Sequence, residues 1–163
     1  MRRVLLSAAL LFIAEAAAAQ LPGLRRRDPV PPNAQQAPML VGIDALRADF
    51  LARSGADKVY FGGDSSVLTP PAQATLQAQA AWLRQHPEVV VRIEGYADPS
   101  DTRDHALAVG ARRAEEVRSY LVLLGVPAAQ LTTLSWGKEK VAVLGSVPAA
   151  LALNRRTVTV LVR

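Results

Sequence analysis

Val89, Val91 and Ile93 fall on one side of an extended chain, and Arg92 and Glu94 fall on the other. Alternation with period two makes a strand that buries one face. The polar run from Gly95 to Asp104 ends that strand, and a long helix follows to about Leu124, with Leu107, Ala114, Val117, Leu121 and Leu124 on its apolar side. Gly125 fits the helix stop. The rest of the chain repeats this strand-then-helix grammar. Lys58 to Phe61 is a short β-rich run broken by Gly62-Gly63-Asp64-Ser65-Ser66. Thr69 suits an N-cap with Pro70 at the first helical position. Leu76, Ala80 and Leu83 recur along that helix, which His86-Pro87 ends. Leu131 to Ser135 reads as a strand, Pro148 to Leu153 as a short helix, and Asn154-Arg155-Arg156 leads into a last strand from Thr157 to Val162. The order is β-α-β-α-β-α-β from about Asp57 to Arg163. It predicts an α+β sandwich, a mixed sheet with helices packed on one face.

The remainder divides into three attachments. Residues 1–19 read as a signal peptide: Arg2 and Arg3 form a basic start, Val4 to Ala14 is an apolar stretch too short to span a bilayer, and Ala17-Ala18-Ala19 precedes a cut that makes Gln20 the new terminus. Glu15 leaves an uncleaved anchor as the alternative. Residues 20–38 read as a linker, with Pro22, Pro29, Pro31, Pro32 and Pro38 around Arg25, Arg26 and Arg27. Residues 39–56 read as a short amphipathic helical segment, with Leu40, Ile43, Leu46 and Phe50 at helical spacing. Residues 57–163 form the compact domain.

Composition removes several function classes. The 163 residues contain no cysteine, so disulfides, thiolate chemistry and a lipid-modified cysteine are not expected. The net charge of +5 sits partly in the leader and the arginine run, and aromatics make up only 5% of the chain; no nucleic-acid partner is expected. His86 and His105 do not form a helical HExxH pair, so no metal is expected. Gly62-Gly63 alone reads as a turn, Gly137-Lys138 lacks the upstream glycine of a phosphate loop, and no cofactor is expected. No nucleophile elbow occurs, so the chain is not expected to be an enzyme. Asp98, Asp101 and Asp104 crowd one loop. Paired carboxylates can act on a glycan; the plainer role is capping and negative charge near a helix N-terminus.

Asp98 closes the strand segment Ile93-Glu94-Gly95-Tyr96-Ala97-Asp98, and Arg113 lies about two turns into the next helix. A strand–loop–helix unit can fold that arginine back onto the loop. One anion and one cation in a shared concavity suit a zwitterionic ligand, with Arg113 holding a carboxylate and Asp98 an ammonium or backbone donors. An intramolecular salt bridge joining loop to helix is the alternative.

Five segments then carry a resemblance. Val59-Tyr60-Phe61-Gly62-Gly63-Asp64-Ser65, Ile93-Glu94-Gly95-Tyr96-Ala97-Asp98, the helix bearing Leu107, Gly110, Arg112, Arg113, Ala114 and Val117, Ser135-Trp136-Gly137-Lys138-Glu139, and Asn154-Arg155-Arg156 occur in the order of the OmpA-like family. The chain most resembles that family's peptidoglycan-associated (Pal-type) subgroup. The resemblance implies non-covalent binding of peptidoglycan through the diaminopimelate residue of its stem peptide. It assigns Asp98 and Arg113 to the ligand, sets Asp64 and Ser65 at the edge, lines the pocket with Ala97 and Leu107, and supports it with Arg155. It also implies a periplasmic protein associated with the outer membrane or wall, with other envelope proteins as partners.

Three positions depart from the family pattern: Tyr96 stands for its histidine, Asp101 for a glycine, and His105-Ala106 for Tyr-Asn. A protein–protein adaptor on the same fold, without wall binding, is therefore the alternative function. Tyr96 reads as a half-buried loop aromatic, His105 as a first-turn helix residue, Trp82 and Trp136 as packing residues, and Arg156 as a surface strand residue.

Overall fold

The computed structural model describes residues 37–162. The expected signal peptide, its cut after Ala19, the lipid-anchor question and nearly all of the linker lie outside those residues.

Helix α1 spans Ala37–Ser54, strand β1 Lys58–Tyr60, helix α2 Pro70–Gln85, strand β2 Val91–Tyr96 and helix α3 Arg103–Leu123. A single 3-10 turn at Ala128–Gln130 leads into strand β3, Leu131–Gly137, followed by helix α4, Pro148–Asn154, and strand β4, Arg156–Leu161. The sheet order is β1-β4-β2-β3, with β2 and β3 parallel and β4 antiparallel to both β1 and β2. This is the mixed α+β architecture that the sequence predicts. The 3-10 turn was not anticipated.

Alternation along β2 divides the sheet. Val91 and Ile93 are fully buried against the helices. They join Leu76 and Leu83 of α2 and Val117 and Leu121 of α3 in one core. Burying an aliphatic side chain of this size contributes about 1.5–3 kcal/mol. Gln79 of α2 accepts the hydroxyl of Thr159 on β4 at 2.8 Å, so the polar pair inside the core is matched.

Local chemistry sets the helix ends. Thr69 accepts the backbone N–H of Ala72, and prolines occupy the first turn of α2, where a missing N–H costs nothing. Thr102 plays the same role for α3, accepting the N–H of His105. The cap is thus a threonine and not one of the three aspartates. Gly125 takes φ +88° just past α3, the left-handed turn that favours glycine.

Helix α1 begins earlier than expected, so Pro38 sits in a helical first turn and not in the linker. The helix docks on α2. Phe50 meets the Trp82 ring edge-on at 5.2 Å, and Asp49 accepts the indole N–H at 2.7 Å.

Candidate functional site

Asp98 stands just past the end of β2 and is only 3% exposed. One carboxylate oxygen accepts the backbone N–H of Ser100 at 2.9 Å and also its hydroxyl. The other meets Nε of Arg155 at 2.5 Å. Arg155 lies at the junction of α4 and β4, one residue before the strand. Burial pulls the Asp98 carboxyl up, but the Ser100 and Arg155 hydrogen bonds outweigh it and hold its pKa below the ordinary carboxylate value of 3.8. A depressed carboxyl stabilises the fold above its unfolded pKa, and that stability drains away as pH falls through the folded pKa. The wild type should therefore lose melting temperature steeply below about pH 4. Asp98→Asn should flatten that acid limb, as thermal melts across the acid range would show; identical limbs would mean that the Asp98 pairing adds nothing to stability.

Arg113 projects from the middle of α3 and is fully buried. Its Nε donates to the carbonyl of Ser65 at 3.0 Å, one terminal nitrogen to the carbonyl of Tyr96 at 2.8 Å, and the other to the carbonyl of Gly63. Its guanidinium lies 5.2 Å from the Phe61 ring centroid. Burial lowers its pKa to about 10, with the carboxylate of Asp64 pulling the other way. It therefore stays charged at neutral pH. Helix α3 can approach this closely because Gly95 on β2 faces Gly110 on the helix: a Cβ on Gly95 would stand 1.9 Å from the Gly110 carbonyl oxygen.

The expected Asp98–Arg113 partnership takes a different form. The partner cation of Asp98 is Arg155, and Arg113 binds backbone carbonyls from the loop after β1 and from the end of β2. The physical reason is burial: a dehydrated guanidinium with five donors is best matched by several fixed carbonyls. Arg113 thus ties the loop after β1 to the end of β2, and Asp98 ties the loop after β2 to the start of β4. Asp64 is exposed and Ser65 is partly buried on the first loop. Ala97 packs with Ala106 and Val109 in a small separate cluster. Leu107 is partly buried, and its carbonyl accepts the Ser135 hydroxyl at 2.7 Å.

Several expectations need correction. Arg156 is only 7% exposed and not a surface residue. Its guanidinium stacks 3.9 Å from the centroid of Tyr96 and donates to the carbonyls of Asn154 and Lys140. Tyr96 is the last residue of β2 and not a loop aromatic; its hydroxyl donates to Glu94 at 2.5 Å. Trp136 lies on β3 and not in a turn, with the Lys140 ammonium 3.4 Å from its ring centroid. Ala106 is fully buried. The position where the family resemblance has an asparagine therefore faces the small apolar cluster in this chain. Ser100 and the carbonyl of Gly63 are the site groups that sequence reasoning missed. The Asp-Pro-Ser spacing after β2, with the aspartate accepting an N–H two residues on, was the available signal for Ser100.

The OmpA family matches residues 60–155. Two curated relatives are similar: the peptidoglycan-associated lipoprotein of Agrobacterium fabrum, 43% identical over 113 residues, and that of Rhizobium meliloti, 45% identical over 113 residues. Each alignment covers 69% of this chain, and 63% and 64% of the relatives, so the chain spans just under two thirds of their length. Their names call both lipoproteins; the expectation of no lipid anchor falls on residues 1–36, outside the described part. The crystal structure of the peptidoglycan-associated lipoprotein from Burkholderia pseudomallei is 42% identical with a TM-score of 0.64, covering 66% of this chain and 91% of that one. With a matching family model over more than half its length, the chain belongs to the OmpA family.

Proposed function

We propose that this protein is a non-enzymatic envelope module that binds peptidoglycan non-covalently by recognising the diaminopimelate residue of the stem peptide. The observation that carries the reading is the bracing of two loops, 62–66 and 97–102, by Arg113 and by the Asp98–Arg155 pair. The names of the curated relatives point to the same polymer.

Three of the five guanidinium N–H groups of Arg113 are bound to the carbonyls described above. The remaining two suit a ligand carboxylate. Because Arg113 is fully buried, the carboxylate reaches it only when the 62–66 loop moves outward. Asp98, Asp64 and the loop carbonyls offer the negative side for an ammonium. Ser65, Ala97 and Leu107 then frame the ligand, and Arg155 keeps Asp98 in place. Asp98 is held by Arg155 and Ser100, a poor state for general acid–base work. Release of soluble fragments from the wall would contradict a pure recognition role.

One observation favours a second reading. Both charged residues are buried and internally matched, while Leu144 and Val147 stand 86% and 62% exposed on the segment before α4. A protein–protein adaptor would look like this. Co-sedimentation of the full chain with diaminopimelate-type sacculi separates the two. The wild type should pellet, free meso-diaminopimelate should compete, and folded Arg113→Lys should bind more weakly by at least about tenfold, as expected for losing a charged hydrogen bond of about 1.5–3 kcal/mol. A folded wild type that stays in solution would hand the lead to the adaptor reading.

A further inference from the structure

Two of the three positions that depart from the family pattern converge on one place. Asp101 and His105 lie on the loop into α3 and on its first turn, four residues apart. Asp64 arrives from the loop after β1. One ligand atom from each of the three lies within 4.8 Å of the other two. Nε2 of His105 is 3.3 Å from Asp64 and 3.8 Å from Asp101.

The charges around this cluster are unbalanced. Among the described residues, the only side chain that approaches the Asp64 and Asp101 carboxylates within 4 Å as an ion-pair partner is His105, with the Arg113 guanidinium acting on Asp64 from farther off. The nearby cations are engaged elsewhere: Lys138 donates to the backbone carbonyl of Asp101, Arg103 pairs with Glu139 at 2.8 Å, and Arg155 pairs with Asp98. Among the described residues, two carboxylates from separate loops therefore face one imidazole, with no ammonium or guanidinium within 4 Å of either carboxylate.

We propose that Asp64, Asp101 and His105 form a three-ligand site for a divalent transition-metal ion of the zinc class. Bonds of about 2.0–2.2 Å to nitrogen and oxygen place ligands of a tetrahedral ion about 3.3–3.5 Å apart. The observed separations reach that geometry by small rotations of three exposed or half-exposed side chains. Imidazole with carboxylates favours zinc over magnesium or calcium, which prefer all-oxygen shells. Three protein ligands leave a fourth position for water or an incoming carboxylate. A bound ion clasps the 62–66 loop, the one that Arg113 holds, to the start of α3. The expected absence of metal-ligand spacing is understandable, because the third ligand lies far from the other two in sequence.

The site does not depend on the wall-binding reading, and its test needs no peptidoglycan. The untagged full chain, which has only two histidines and no cysteine, is titrated with zinc chloride by calorimetry at neutral pH. A single saturable site is expected, with a matching rise in melting temperature. His105→Ala and Asp64→Asn should each weaken binding by at least about tenfold, because losing a direct ligand costs at least as much as losing an outer-shell partner. His86→Ala should bind zinc like the wild type, and magnesium should not compete. No saturable binding by the wild type, or unchanged binding by a folded His105→Ala, would overturn the assignment.

Discussion

Arg113→Ala should destabilise the domain by about 2–5 kcal/mol in urea unfolding. The side chain is fully buried, and its removal strands the carbonyls of Gly63, Ser65 and Tyr96 together. The Tyr96 carbonyl is buried, and leaving it without a donor costs about 1–3 kcal/mol, while the Gly63 and Ser65 carbonyls are more open and water can replace the lost donor. The cavity left beside Phe61 adds to the loss. Arg113→Met should fare nearly as badly, because an apolar stem of similar length fills space but satisfies no carbonyl. Arg113→Lys should recover part of the loss: an ammonium has three donors, but it cannot span three divergent carbonyls as a planar fork does. A loss under about 1 kcal/mol for alanine would show that the carbonyls find other partners. The prediction also bears on binding assays. A variant that fails to pellet with sacculi says nothing about ligand contact if it is unfolded, so the lysine variant with a measured stability is the informative one.

The parts of the fold set by local period were legible in the sequence. Strand β2 and helix α3 follow from alternation and from the apolar stripe, and Thr69 and Gly125 mark boundaries by their own chemistry. Boundaries that depend on pairing were not. Strand β1 stops at Tyr60 because the N–H of Arg155, which would answer the bond from Phe61 to its carbonyl, goes to Leu151 of α4 instead, and that pairing is nearly a hundred positions away. Pro38 reads as linker by composition, yet it falls within α1. Arg156 reads as exposed because it lies on the sheet face away from the helices; the Tyr96 ring and the Asn154 and Lys140 carbonyls cover it.

The same limit governs the site. Asp98 and Arg113 can be singled out individually, since a carboxylate at a strand end and an arginine on the returning helix converge by topology. Their actual partners cannot. The pairing of Asp98 with Arg155 spans 57 positions, and the carbonyls that Arg113 binds belong to residues whose side chains carry no signal of that role. Backbone acceptors are invisible to a search for charged pairs. Resemblance singled out Arg155, which residue chemistry alone did not, and Arg155 lies against Asp98.

Gly95→Ala should cost at least about 3 kcal/mol, the upper end of the overpacking range. The methyl group would stand 1.9 Å from the Gly110 carbonyl oxygen and 2.7 Å from its carbon, so helix backbone, and not a flexible side chain, must give way. Gly95 is not among the glycines at positive φ, so the cost comes from crowding and not from lost conformational freedom. Gly110→Ala is the internal comparison. Its Cβ would first meet the Ser135 hydroxyl oxygen at 2.4 Å and only then the Gly95 oxygen at 2.9 Å. The hydroxyl can rotate away at the expense of its hydrogen bond to Leu107, so this variant should lose less than Gly95→Ala. The consequence for function follows from what α3 carries. Lifting the helix off β2 moves Arg113 away from the Gly63, Ser65 and Tyr96 carbonyls and parts His105 from Asp64. Gly95→Ala should therefore lose the proposed wall and zinc binding together, with a lowered urea midpoint. A variant as stable as the wild type would show that α3 can retreat without disturbing the braced loops, and the close glycine contact would then have no part in holding the site.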